Sequence, residues 1–264
     1  MLTLTMRPYQ GEADLQPLVE LLNTCKVADQ IDSTTSINDL RLSFHAPGVN
    51  PNRDVRFWED ADGKLIGYSS FGQPESEGAN DAYLSLSVHP TARNQGLEAD
   101  MLTWGEARMM AASRSPSPPP LLRTSTRSTN SNRMAFLEQN GYQVDRHFFS
   151  MGRSLHEPIP TPCFSTGFTW RPLAGAAEVP AWVDMFNQSF IDHWNYHPLT
   201  VERILHWMRS PDYRPDWDWV AVAPNGHSPL FATARLTQKT TAAAIAGKGG
   251  LICWVPGEDF VARA

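Results

Sequence analysis

The stretch VHPTARNQGLEADML, Val88–Leu102, holds the residue types that can grip an anion. A strand ends, Arg93 and Gly96 follow within one turn, and a helix begins. A helix N-terminus leaves backbone N–H groups without intrahelical partners and carries the positive end of the helix dipole. A phosphate suits such a place. Gly96 lets the backbone come close to a ligand, and Arg93 brings a positive charge. Glu98 complicates this reading. Turned into the loop, its carboxylate would repel a phosphate. Turned outward, it would suit the first turn of the helix. Taken alone, an Arg-x-x-Gly turn is more often an ordinary strand-to-helix connection.

Two other groups of residues invite a chemical reading and do not sustain it. DHWNYHP, Asp192–Pro198, sets His193 and His197 four apart. A zinc site needs a third ligand and Pro198 disrupts a helix, so no metal is expected. Cys25, Cys163 and Cys253 are odd in number and far apart. They suit neither a disulfide framework nor a CxxC site, which points to a reducing, cytoplasmic setting.

The elements that must position the turn can be read from periodicity. LTLTMRP alternates as a strand, and Leu15, Leu18, Val19 and Leu22 then fall at helical spacing. VRFWEDADGKLIGYSSF reads as a hairpin turning at Asp62-Gly63. AYLSLSV is the next strand. The spacing predicts a helix over about Leu97–Ala112, with Met101, Leu102, Gly105 and Met109 on one face. LLRTSTR is a short strand. NRMAFLEQNGY is a helix capped by Asn132 and stopped by Gly141, and VDRHFFSMGRSL is the closing strand.

The start of the chain recurs. TMRPYQGEADLQPLVELLN, Thr5–Asn23, lines up without a gap on TWRPLAGAAEVPAWVDMFN, Thr169–Asn187, 164 residues later. Two copies are too few for a solenoid, so two tandem domains are expected. Proline-rich residues 156–167 read as the linker between a first domain, 1–155, and a second, 168–264.

In this order of elements, β-α-β-β-β-α-β-α-β, residues 1–155 resemble the GNAT superfamily of N-acetyltransferases. Val88, Pro90, Arg93 and Gly96 match its V-x-P-x-x-R-x-x-G-x-G/A signature, and Asn132, Ala135, Phe136 and Gly141-Tyr142 match its downstream N-x-x-A and G-F/Y positions. The repeat suggests the tandem, mycothiol synthase-like branch. The resemblance implies an α/β fold with a mixed sheet and acetyl-CoA as co-substrate. It places backbone groups of Leu86 and Val88 on the pantetheine arm. The N–H groups of Asn94, Gln95, Gly96, Leu97, Glu98 and Ala99 would lie on the pyrophosphate, with Arg93 beside them and Asn132 near the thioester. An amine would attack the acetyl carbonyl directly. Two positions depart from the pattern: Glu98 stands where a second small residue is usual, and Leu137 stands where many relatives carry a tyrosine acid. A leucine cannot donate a proton. Glu59, Asp81 and His89 are candidate bases. Tyr83 and Tyr142 are the other hydroxyls, Tyr142 suiting the core. A single His or Asp at such a place is more often a solvated surface group than a base.

The second copy reads as incomplete. TVERILHWMRS is a helix, and WDWVAVAPNGHSPLFATARL is a hairpin turning at Asn225-Gly226. GGLICWV would match AYLSLSV, but PGEDFVARA stands where the Arg-x-x-Gly loop belongs. One complete copy followed by a truncated one is expected, with an open sheet edge that the first domain or a second copy of the chain, as a homodimer, would cover. Apolar residues make up 41% of the 264, and the formal net charge is -6. That is an ordinary globular composition, and its acidity argues against nucleic acid as partner. No apolar run is long enough for a membrane span. The expected function is acetyl-CoA-dependent transfer to an amine of a small molecule or peptide. The alternative is a catalytically weak or inactive CoA-binding or scaffold protein of the same descent.

Overall fold

A computed structural model describes residues 4–74, 76, 79–113, 117–149, 154, 156–158, 161, 166–224, 233–235 and 259–263. They form two compact units, Met1–Phe148 with Gly257–Ala264, and Phe149–Pro256.

In chain order the first unit runs β1 (Thr5–Pro8), α1 (Leu15–Ala28), α2 (Ile37–Phe44), α3 (Pro51–Asp54), β2 (Val55–Glu59), β3 (Leu65–Gly72), β4 (Asp81–Val88), α4 (Leu97–Ala112), β5 (Leu121–Thr126), α5 (Ser131–Gln139) and β6 (Gln143–Arg146). The second unit follows with β7 (Thr169–Pro172), α6 (Val179–Ser189), α7 (Val201–Trp207), β8 (Asp218–Val222) and β9 (Thr233–Arg235). The last strand, β10 (Asp259–Arg263), returns to the first unit. Among the described residues no helix is long and apolar enough to cross a membrane.

The first unit is one mixed sheet in the order β1-β2-β3-β4-β5-β10-β6. Neighbours are antiparallel except β4 and β5, which run parallel. On one face Leu84, Leu86 and Val88 of β4 pack with Leu97, Met101 and Leu102 of α4. On the other, Leu15, Leu18 and Leu21 of α1 pack with Phe57 and Tyr68. Gly105 brings α4 close to the sheet, since a Cβ there would collide with Leu84. In β4 the even-numbered side chains are buried under α4, while Tyr83, Ser85 and Ser87 lie on the opposite face and are less buried. That alternation is the period-two pattern of the sequence realised in the sheet.

Two expectations change here. The closing strand read as VDRHFFSMGRSL is confined to Gln143–Arg146. Its partner is not nearby chain but β10, which pairs Phe260 with Arg146 and Ala262 with Gln143. On its other side β10 pairs Asp259 with Thr126 through Arg263 with Leu122. Asp259–Arg263, within the PGEDFVARA assigned by sequence to the second half, therefore supplies an interior strand of the first sheet. Strand pairing joins two segments, and neither segment announces its partner locally.

The second unit has a three-stranded sheet, β7-β8-β9, over a core of Leu173, Val179, Trp182, Val183, Ile204 and Val220. Its start repeats the first unit bond for bond. The Arg7 guanidinium donates to Asp14 at 2.7 and 3.0 Å, and Arg171 pairs with Glu178. The Gln10 N–H donates to Asp14 at 2.7 Å, as the Ala174 N–H does to Glu178 at 2.7 Å. Asn23 clasps the backbone of Thr35 through bonds of 2.8 and 2.9 Å, and Asn187 clasps Leu199 through bonds of 2.9 and 3.0 Å. Ser36 and Thr200 then cap α2 and α7. Every pair is offset by the same 164 residues. The hairpin turn at Asn225-Gly226 and the strand GGLICWV lie outside the described residues.

Candidate functional site

The site begins where β4 leaves β5. Their parallel register spans Asp81–Leu121 to Tyr83–Arg123 and then stops. Peptide groups of even-numbered β4 residues face the β5 side: the Leu121 N–H donates to the Asn80 carbonyl at 2.9 Å. The next residue beyond the strand faces the other way, its His89 N–H reaching the Ile66 carbonyl at 2.8 Å. From Leu84 to Val88 the β5 side of β4 is thus an edge facing a wedge rather than a strand. Side chains reach into it. Arg133 Nη1 donates to the Leu86 carbonyl at 3.1 Å. Arg93 Nε and the Cys25 thiol donate to the Val88 carbonyl at 3.1 and 3.2 Å.

Immediately beyond Val88 the chain makes a single 3-10 turn, Pro90–Ala92, and then a left-handed step into α4. Asn94 has φ 59° and Gly96 φ 96°. Gly96 is favoured by its backbone, since other residues adopt that conformation only with strain; a Cβ there would meet nothing within 4 Å, so the space before it is open. Among the described residues the N–H groups of Gln95, Gly96, Leu97 and Glu98 meet no acceptor, whereas Ala99 already donates to the Gly96 carbonyl at 3.1 Å. Unpaired N–H groups clustered at a helix start have the character that can receive an anion.

Arg93 serves this loop differently from the sequence expectation. Its guanidinium grips Asp29 at 2.6 and 3.0 Å, tying the loop to the C-terminal end of α1. Cys25, one turn earlier, is buried, and burial pushes its thiol up from the ordinary value. Asp29 and Cys25 lie 64 and 68 residues before Arg93, and no local pattern signals them.

Glu98 settles between its two poses by a third. Its carboxylate folds back over the loop and accepts the Asn94 N–H at 3.1 Å. Asn132 is exposed and does not cap α5. The cap is Asn130, whose side chain accepts the Arg133 N–H at 3.1 Å. Asn130, Ser131 and Asn132 are all good capping types in a row, so composition cannot choose among them. Leu137 is fully buried in the core beneath the sheet with Tyr142, whose hydroxyl reaches toward Glu106 at 3.5 Å. Leu137→Tyr is therefore expected to overpack the core, destabilising the fold by about 1–3 kcal/mol without supplying a proton donor. A thermal melt checks this; an unchanged melting temperature would place Leu137 at the surface instead.

The candidate bases are spread out. Glu59 accepts from Arg7 at 2.8 Å on β2, two strands from β4 and its wedge. Asp81 is buried against Arg123 at 2.8 Å, and Arg123 also reaches Asp145 at 3.0 Å, all at the start of β4. His89 stands beside the loop, its pKa lowered by partial burial and then by Lys64 and Arg93. Its Nδ1 lies 2.8 Å from the Thr91 hydroxyl and 3.4 Å from the Thr91 N–H. His89 thus caps the turn through Nδ1. Tyr83 sits at the fork where β4 and β5 part, on the face opposite α4. Of the four, it alone adjoins the wedge through its own position on β4. In the second unit His193 Nδ1 is paired with the Trp194 carbonyl at 2.9 Å. Among the described residues no group of three or more His, Cys, Asp or Glu is arranged to hold a metal.

No family model matches the chain, and no curated protein does. Solved structures do. A GCN5-related N-acetyltransferase from Sphaerobacter thermophilus is 20% identical, with 90% of this chain and 73% of that one covered and a TM-score of 0.69. A GCN5-related N-acetyltransferase from Kribbella flavida is 16% identical over 55% of this chain and 86% of that one, with a TM-score of 0.44. A GNAT superfamily phosphinothricin acetyltransferase from Sinorhizobium meliloti, solved in complex with AcCoA, is 18% identical over 58% and 83%, with a TM-score of 0.43.

Proposed function

We propose that this chain, which has the GNAT fold, is an N-acetyltransferase that moves an acetyl group from acetyl-CoA to an amine of a small molecule or peptide. One observation carries the proposal. The β4 strand parts from β5 after Tyr83, ends at Val88, and then runs through a glycine turn of open N–H groups at Gly96 into α4. An extended arm with amide groups can line such an edge as an added strand, and a pyrophosphate can rest on the N–H groups of Gln95 to Glu98. The edge and the cradle are contiguous, which suits one ligand that is amide-bearing at one end and anionic at the other.

In the reaction the amine lone pair attacks the acetyl carbonyl, the C–S bond breaks, and the electron pair leaves on the CoA sulfur. The amine loses one proton to a base or water. Tyr83 is the hydroxyl nearest the fork by its place on β4, and we assign it to donate its proton to the departing CoA thiolate, the tyrosinate then regaining a proton from solvent, while water takes the proton the amine loses. Asp81 and Glu59, held by arginines, are assigned to structure. The bond-for-bond repeat in the second unit supports common descent of the two units, and we place the chain in a tandem GNAT branch of the mycothiol synthase-like kind, acting in the cytoplasm.

A second reading is favoured by Glu98 on the loop and Leu137 in the core: a CoA-binding protein of the same descent with little or no turnover. Calorimetry with acetyl-CoA, followed by a panel of amines assayed for CoA release, tests both. Binding with acetyl transfer supports the first reading. Binding without transfer to any amine supports the second. Absence of binding overturns both.

A further inference from the structure

One polar group of the wedge, the Leu86 carbonyl, and one of the loop, the Asn94 N–H, are already engaged by the chain's own charged side chains, while among the described residues the N–H groups of Gln95 to Glu98 stay unpaired. At the arm station, Arg133 Nη1 donates to the Leu86 carbonyl at 3.1 Å, the bond that an amide N–H of an added strand would make. At the anion station, the Glu98 carboxylate accepts the Asn94 N–H at 3.1 Å, the kind of bond that a phosphate oxygen would make. Each side chain has the hydrogen-bonding character of the ligand group whose place it takes, a donor at the carbonyl and an anion at the N–H. Both are held on helices that flank the wedge, Arg133 on α5 and Glu98 on α4. Their sequence positions are 35 apart, and only the fold brings them to one cleft.

We propose that Arg133 and Glu98 are self-ligands that close the acyl-CoA cleft when it is empty and must swing aside for the co-substrate to enter. The inference rests on the proposed function, because it takes CoA to be the ligand. It explains how β4 carries an exposed edge without leaving its Leu86 carbonyl bare in the wedge, where an unpaired carbonyl is costly. It also explains how a carboxylate persists beside the loop: it is held at the rim on the Asn94 N–H, across the approach of an anion to the N–H groups that follow. A site whose competent state is only a fraction of the population binds its ligand more weakly by that fraction. Removing a self-ligand removes the competition. The two self-ligands differ in what they oppose. Arg133 opposes the pantetheine arm alone, whereas Glu98 opposes the phosphates.

The test is calorimetry on the full chain with two probes, CoA and adenosine 3′,5′-bisphosphate, the second lacking the arm. Arg133→Met keeps the side-chain volume and removes the donors, and Arg133→Ala repeats the test without the stem. Both are expected to tighten CoA about five- to tenfold, the worth of one lost hydrogen bond, and to leave the bisphosphate unchanged. Glu98→Ala is expected to tighten both probes by a similar factor. Circular dichroism melts establish that each variant is folded before titration. If CoA binds the parent chain and either Arg133 variant binds it equally or more weakly, Arg133 is no self-ligand and the inference falls while the proposed function stands. Unchanged or weaker binding of both probes by Glu98→Ala overturns it in the same way. If neither probe binds the parent or any variant, the proposed function itself fails, and this inference with it.

Discussion

Gly96→Val is expected to abolish CoA binding, and Gly96→Ala to weaken it while the protein remains folded. Gly96 sits at φ 96°, where a side chain costs about 1–3 kcal/mol of backbone strain, most for a β-branched one. The space before it is open, with no atom within 4 Å of a built Cβ. Alanine therefore meets no steric obstacle within the protein and reports the strain. Valine adds bulk in front of the N–H groups of Gln95 to Glu98 and keeps an anion away from them. Charge-assisted hydrogen bonds are worth about 1.5–3 kcal/mol each, so losing two weakens binding by on the order of a hundredfold or more. Calorimetry reads this directly, and a thermal melt followed by circular dichroism checks folding. Equal affinity in both variants would remove the pyrophosphate from this loop.

Deleting residues 257–264 is expected to unfold or aggregate the first unit. β10 pairs with β5 from Asp259 to Arg263 and with β6 from Phe260 to Ala262. Without it β5 loses one flank and β6 loses the only ladder recorded for it among the described residues. At about 1 kcal/mol net per backbone bond, half a dozen lost bonds amount to several kcal/mol, against a total stability of about 5–15 kcal/mol for a typical domain. The bared flank of β5 is also a template for edge-to-edge association. Light scattering and a denaturant melt of the shortened chain check the outcome. A synthetic GEDFVARA peptide, residues 257–264, is expected to bind the shortened chain and restore part of its transition, since strand addition supplies the missing ladder. A shortened chain that is monomeric and equally stable would show that β10 is dispensable to the sheet.

Much of the scaffold was legible from local pattern. The apolar spacing of Met101, Leu102, Gly105 and Met109 predicts α4, which runs Leu97–Ala112. Asp62-Gly63 marks the β2–β3 hairpin, and Gly63 has φ 77° there. AYLSLSV predicts β4, whose alternation puts Leu84 and Leu86 under α4. These features depend on residues within a turn or two of one another, and hydrophobic period and turn chemistry encode such neighbours directly. The recurrence of Thr5–Asn23 at Thr169–Asn187 was equally plain, because a repeat is a property of the string itself.

What the string could not carry was the identity of distant partners. Arg93 looked like a charge for a phosphate, and the fold gives it to Asp29, 64 residues earlier. Three consecutive residues could cap α5, and packing selects Asn130 over Asn132. Leu137 looked like a vacated acid position, yet the turn of α5 points it into the core. Glu98 had two reasonable poses by sequence, and the left-handed step at Asn94 created the N–H that it accepts. The final strand read as the remnant of a second copy and instead fills the first sheet. Each of these is decided by which segments meet in three dimensions. Such meetings depend on the free energy of the whole packed unit, so they leave no periodic trace in either segment alone. The sequence by itself determined the elements and the glycine turn. Tertiary structure alone decided which charges hold the turn and which lie across its mouth.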